Sequence, residues 1–131
     1  MVELHGWALI RENFTVDNED ENLEQIITLI SQEIEKLHED EALLRIAYSN
    51  GEATVTATKF TNHFSDDVKK IIDLFKLIAV LAPGSYGLLY FRDDEDTTGL
   101  SNDFQVFVLS KGTLIVQRDT FLSPYCLMVE D

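Results

Sequence analysis

The stretch LLRIAYSNGEATVTATKF, from Leu43 to Phe60, leaves the chain little conformational choice. Two runs rich in β-branched and aromatic residues flank Ser49-Asn50-Gly51-Glu52, and Asn-Gly supplies the successive positive φ angles of a two-residue hairpin turn. A link that short joins only antiparallel strands, so the middle of the chain is committed to an antiparallel sheet. A hairpin alone is marginal in water. The rest of the chain must therefore supply further strands and something to cover one face.

It does so in a regular order. Leu4, Ala8 and Ile10 alternate with His5, Trp7, Leu9 and Arg11, which predicts a first strand with apolar groups on both faces and hence a central place in the sheet. Leu23, Ile26, Ile27, Ile30, Ile34 and Leu37 then recur at helical spacing, with Glu24, Glu33, Glu35 and Glu39 facing away, and Asn18 with Glu21 has the spacing of a helix-start cap. After the hairpin, Ser65-Asp66-Asp67 predicts the start of a second helix, because a hydroxyl and two carboxylates suit unpaired N–H groups and the positive dipole end. Pro83-Gly84 ends it. Its apolar residues cover more than half the circumference, so it should be the more deeply buried helix. Three β-rich runs follow, Tyr86 to Arg92, Phe104 to Ser110 and Thr113 to Arg118, the last two joined by Lys111-Gly112. The expectation is one α+β domain spanning residues 1–131, a mostly antiparallel sheet of about six strands with two helices on one face, in the order β-α-β-β-α-β-β-β.

Charge narrows the function classes. The chain has 24 acids against 10 Lys and Arg, a formal net charge of −14, and would repel a phosphate backbone. Nucleic acid is not an expected partner. The acids are also unevenly placed: Glu12 to Glu41 holds eleven of them beside the single Lys36. A strong negative field should lie on one side. The longest apolar segment, near Ile71 to Ala82, is interrupted by Asp73 and Lys76 and is shorter than the roughly 20 residues a bilayer span needs. No membrane contact is expected, and one cysteine, Cys126, with no secretory leader predicts a cytoplasmic protein.

Catalytic and metal signatures are hard to find. YGLLYFRDDEDTTG ends a predicted strand in Asp93, Asp94, Glu95 and Asp96, yet an EF-hand-type loop starting at Asp93 would have Thr98 where Gly belongs and Phe104 where Glu belongs. His5, His38, His63 and Cys126 form none of the short pairs of structural zinc sites. Ser85 and Ser123 lack a nucleophile-elbow context, and no Gly-rich loop is placed to hold phosphates. No enzyme, cofactor or metal is expected, although Asp94 and Asp96 keep open an acid/base reading. Strand alternation places Tyr86, Leu88 and Tyr90 on one face and Leu89 and Phe91 on the other. Helices covering one face then leave aromatics on the other, together with Trp7, unless the segment from Asp119 folds across them.

ELHGWALI at Glu3 to Ile10, GSYGLLYFRDDED at Gly84 to Asp96 and KGTLIVQRDTFLSP at Lys111 to Pro124 together resemble the immunity-protein-7 family, encoded beside bacterial polymorphic toxins. The resemblance covers essentially the whole chain. It implies a bacterial cytoplasmic protein of α+β fold that binds and neutralises a cognate toxin domain, and it carries over no catalytic or metal residues; stoichiometric occlusion is the mode of neutralisation expected of a chain without a catalytic signature. Trp7, Gly87, Tyr90, Arg92, Asp93, Asp94, Asp119 and Pro124 match the motif segments, where a role in the fold competes with one in toxin contact. The acidity would suit a basic toxin such as a nuclease. The expected toxin-binding residues are Asp93, Asp94, Glu95, Asp96, Tyr86, Tyr90 and Trp7. The alternative is a regulatory α+β domain sensing a small molecule or peptide between sheet and helices.

Overall fold

The computed structural model describes residues 1–15, 21–37 and 43–126. The element order is β1 (Val2–Leu9), α1 (Leu23–Lys36), β2 (Leu44–Ser49), β3 (Glu52–Thr61), α2 (Asp66–Leu81), β4 (Tyr86–Asp93), β5 (Gln105–Ser110) and β6 (Thr113–Arg118). The strands form one six-stranded sheet in the order β2-β3-β1-β4-β5-β6. All five neighbouring pairs are antiparallel. The expected order and fold class hold, and β1 is an inner strand, as its two apolar faces required.

The Asn50-Gly51 link has the backbone that its residues predict, and Lys111-Gly112 adopts the same one. Asn50 and Gly51 have φ of 53° and 80°, Lys111 and Gly112 of 51° and 77°, and the turns close the pairs Ser49–Glu52 and Ser110–Thr113. Gly87 answers a different constraint. A Cβ there would overlap the carbonyl of Trp7 and crowd the Cα of Ala8, so the close approach of β1 and β4 depends on its missing side chain.

The Ser65 hydroxyl accepts the N–H of Val68, and α2 stops before Pro83 as expected. Seven residues of α2 are buried, among them Ile72, Phe75 and Ile78, against only Ile26 and Ile30 in α1. The proposed cap at Asn18 lies outside the described residues. The residue preceding α1 is Asn22, and its side chain does not cap the helix. Instead its backbone N–H and side-chain amide donate to the Glu12 carboxylate at 2.9 and 3.0 Å, fastening the helix start to the segment that leaves β1. Both helices bury their apolar stripes in one cluster with Val2, Leu4 and Ala8 of β1, Val55 of β3 and Leu89 of β4, all at most 1% exposed. Full burial of a side chain of this size contributes about 1.5–3 kcal/mol before conformational entropy is set against it. Because these positions alternate along their strands, the helices cover one face and their neighbours face away.

Candidate functional site

The face turned away from the helices is divided into a covered and an uncovered part. Alternation brings Glu3, His5 and Trp7 of β1 into line with Arg92, Tyr90 and Leu88 of β4 and with Phe60, Thr58 and Thr56 of β3. The C-terminal segment lies over one end. Tyr90 donates its hydroxyl to Asp119 at 3.1 Å, the Arg92 guanidinium sits 3.8 Å from the centre of the Tyr125 ring, and Phe104 meets both Tyr90 and Tyr125 edge-on. Polar bonds hold that segment down: the Ser123 hydroxyl accepts the N–H of Phe104 at 2.8 Å, and Asn102 exchanges two bonds of 2.7 Å with the backbone of Cys126. Burial, reinforced by Asp119, pushes the Tyr90 phenol above its ordinary pKa.

The uncovered part carries the aromatics. Trp7 and Tyr86 are 40% and 43% exposed, their rings edge-to-face at 6.0 Å, and Phe60 meets His5 edge-on at 5.3 Å. Phe60, His5, Trp7 and Tyr86 thus form a row across β3, β1 and β4. A shallow depression of about 430 Å³ beside it is lined by His5, Trp7, Thr56, Thr58, Leu88 and Tyr90. The expected residues Trp7, Tyr86 and Tyr90 do share this face. Tyr90 contributes its ring, since its hydroxyl is committed to Asp119.

The acidic corner is more tightly built than an unstructured acidic turn. Asp93 closes β4 and accepts the N–H of Glu95 at 2.9 Å; Asp94 pairs with the N-terminal ammonium of Met1; Glu95 pairs with His63 at 2.8 Å. Asp96 holds the following loop by accepting from the N–H groups of Thr98 and Leu100 at 2.8 and 2.9 Å. The ammonium of Met1 lowers the Asp94 pKa, and the bond from the Leu100 N–H, with those from Thr98, lowers that of Asp96. Arg92, next to the corner in sequence, turns onto the far face: it is 3% exposed and donates Nε to Glu3 at 3.1 Å. Among the described residues no three His, Cys, Asp or Glu side chains converge on a metal-sized site.

At about 3.3 Å per residue, the corner and Tyr86 stand roughly 25 Å apart at opposite ends of the eight-residue β4. They are two patches joined by the row through Phe60 and His5. Four contributors were not among the expected binding residues: His5, Phe60, His63 and Phe64. The last two become neighbours of the corner because β1 pairs Val2 with both Thr61 and Asp93. Phe64 packs edge-on against Phe91 at 5.9 Å. The alternation Thr54, Thr56, Thr58, Phe60 carried a signal for Phe60, whereas nothing local placed the end of β3 beside the corner.

The family model described as Immunity protein 7 matches residues 1–131, the whole chain. The chain belongs to the immunity protein 7 family. No curated protein and no solved structure matches it. Membership makes the chain an immunity protein directed against a toxin. For this immunity protein 7 member, two of the three segments that resembled the family supply the paired strands β1 and β4, and the third supplies β6 with the C-terminal cover. Gly87, Arg92 and Asp119 among the matching positions all hold backbone or buried polar contacts. No helix in the described residues is long and apolar enough to cross a membrane.

Proposed function

We propose that this chain, acting as one domain over residues 1–131, neutralises its cognate toxin domain in the cytoplasm by occlusion rather than by catalysis. The uncovered row of aromatics on the helix-free face, with the acidic corner at one end, carries the proposal. Trp7, Tyr86 and the ring of Tyr90 supply desolvated contact area, since large aromatics dominate the energy of protein interfaces. Asp93, Asp94, Glu95 and Asp96 add to the field of a chain with net charge −14 and steer a basic partner, such as a nuclease domain, toward that end. The sensing alternative needs a cavity between sheet and helices. Among the described residues, one depression lies on the far face and another is a groove lined by Glu33, Lys70 and Leu74 of the two helices and by Leu37.

Occlusion requires no turnover, so titrating the cognate toxin at concentrations well above the dissociation constant should abolish its activity at a fixed, one-to-one ratio. Loss of all toxin activity at a small fraction of that ratio would refute occlusion. Steering makes a separate prediction. Replacing Asp93, Asp94 and Asp96 by Asn and Glu95 by Gln should slow association by about tenfold or more at low salt, with a smaller change in dissociation. The difference should shrink toward 1 M salt, where the screening length is about 3 Å. Because Asp94 and Asp96 also hold the corner together, thermal melts accompany the binding kinetics. The Glu95→Gln variant alone, whose side chain is 53% exposed, keeps the loop bonds intact. An association rate unchanged at every salt concentration would limit the corner to its structural role.

A further inference from the structure

We propose that β6 is a second interaction surface, through which two copies of this chain join edge to edge into one continuous sheet. β6 is an outer strand of the sheet, and β2 is the other. Outer strands present unpaired N–H and C=O groups, and soluble proteins usually blunt them with charges, prolines or bulges. Thr113-Leu114-Ile115-Val116-Gln117-Arg118 has no proline, keeps an unbroken register against β5, and exposes Ile115 and Val116 by 55% and 47%.

Charge selects the occupant. From Phe104 to Arg118 there is no Asp or Glu, while Lys111 and Arg118 mark the two ends of the strand. The flanking acids are already engaged: Asp103 pairs with Arg118 at 2.8 Å, and Asp119 is buried, accepting from Tyr90 and from the N–H of Leu122. A basic toxin has no field to follow here. A second copy, which is repelled by most of an acidic surface, meets least repulsion at this edge. At β2, by contrast, Glu41 precedes the strand in sequence and Glu52 follows its turn, so the acid-free stretch there is shorter.

The register follows from the hairpin. A two-residue turn makes Ser110–Thr113 the closing hydrogen-bonded pair, so Thr113, Ile115 and Gln117 point their backbone groups at β5, while those of Leu114, Val116 and Arg118 point outward. Two-fold pairing of the outward groups sets Val116 opposite Val116 of the second copy and Leu114 opposite Arg118. Among the described residues no acid enters the interface, apolar Val116 lies on the axis, and both helix layers stay on the same side of the joined sheet. Dimerisation at this edge leaves the aromatic row and the acidic corner, which lie on β3, β1 and the two ends of β4, free for the toxin.

Sedimentation equilibrium on the full chain tests this directly. The wild type should reach twice 14.9 kDa at high micromolar concentration, and association should strengthen with salt, because screening weakens the repulsion between two like-charged copies. Val116→Lys, at an exposed position that leaves the monomer folded, should weaken dimerisation by about tenfold or more by placing two cations face to face. Tyr48→Lys on the opposite edge strand should leave it intact. In a Cys126→Ser background, Val116→Cys should form an intermolecular disulfide, since directly paired strand residues lie about 5.5 Å apart, whereas Ile115→Cys, opposite Gln117, should not. A wild type that stays monomeric at every concentration overturns the proposal, as does a dimer that survives Val116→Lys or cross-links at residue 115 in preference to 116.

Discussion

Phe75→Ala should destabilise the folded chain by about 3–5 kcal/mol, a large part of the 5–15 kcal/mol typical of a small domain. Phe75 has no exposed surface and is among the largest fully buried side chains of the molecule. It stands in the middle of α2, between Ile71 and Ile78, which are 1% and 0% exposed. Truncation removes its transfer free energy and opens a cavity where sheet and helix meet, and β-sheet backbone on one side limits how far the walls can collapse. Urea melts read the change as a lower midpoint at unchanged slope. A cost below about 1 kcal/mol would mean that α2 is turned differently on the sheet.

Arg92→Ala should cost about 3 kcal/mol, the lower end of the range for breaking a buried ion pair, because Glu3 keeps one partner in His5. The guanidinium is bound on both sides, by the Glu3 carboxylate at 3.1 Å and by the face of Tyr125, so the substitution also loosens the C-terminal cover. Its pH signature distinguishes it from an ordinary packing defect. Burial raises the Glu3 pKa, but the hydrogen bonds from His5 and Arg92 and the charge of Arg92 outweigh that and hold it below its ordinary 4.5. A depressed carboxylate stabilises the fold above its unfolded pKa, and that stability is lost as pH falls through the depressed value. The wild type should therefore lose stability below about pH 4.5 through this group, and Arg92→Ala should lose less there, having already forfeited part of it. Adding Glu3→Gln to Arg92→Ala should restore some stability at neutral pH, since no half-buried carboxylate is then left without its guanidinium. A single-variant cost within about 0.5 kcal/mol of zero at pH 7 would show that the pair carries no net stability.

Much of this architecture is local and was legible residue by residue. The Asn50-Gly51 and Lys111-Gly112 turns require only positive φ angles at adjacent residues, Ser65 needs only the next turn of its own helix, and the alternation Tyr86, Leu88, Tyr90 assigns faces within one strand. The chain order of strands and helices follows from such signals, because each depends on neighbours a few positions away. The candidate binding face was legible for the same reason: once two helices take one face, Trp7 and Tyr86 have only the other.

What the tertiary structure alone decided is which of these pieces meet. Arg92 lies beside a run of four acids in sequence, yet it pairs with Glu3, 89 residues away, because strand alternation turns it to the face where β1 presents Glu3. The acidic corner acquired Met1 and His63 as partners because β1 lies between β3 and β4, an arrangement set by the burial of Val2, Leu4 and Ala8 beneath both helices. The C-terminal segment engages the Tyr90 hydroxyl and leaves Trp7 open because Asp119, Ser123 and Tyr125 find partners only at that end of the face. Turn angles and side-chain periods are written in neighbouring residues. Register and ion pairing between distant strands are instead selected by the burial they allow, which depends on the whole chain at once.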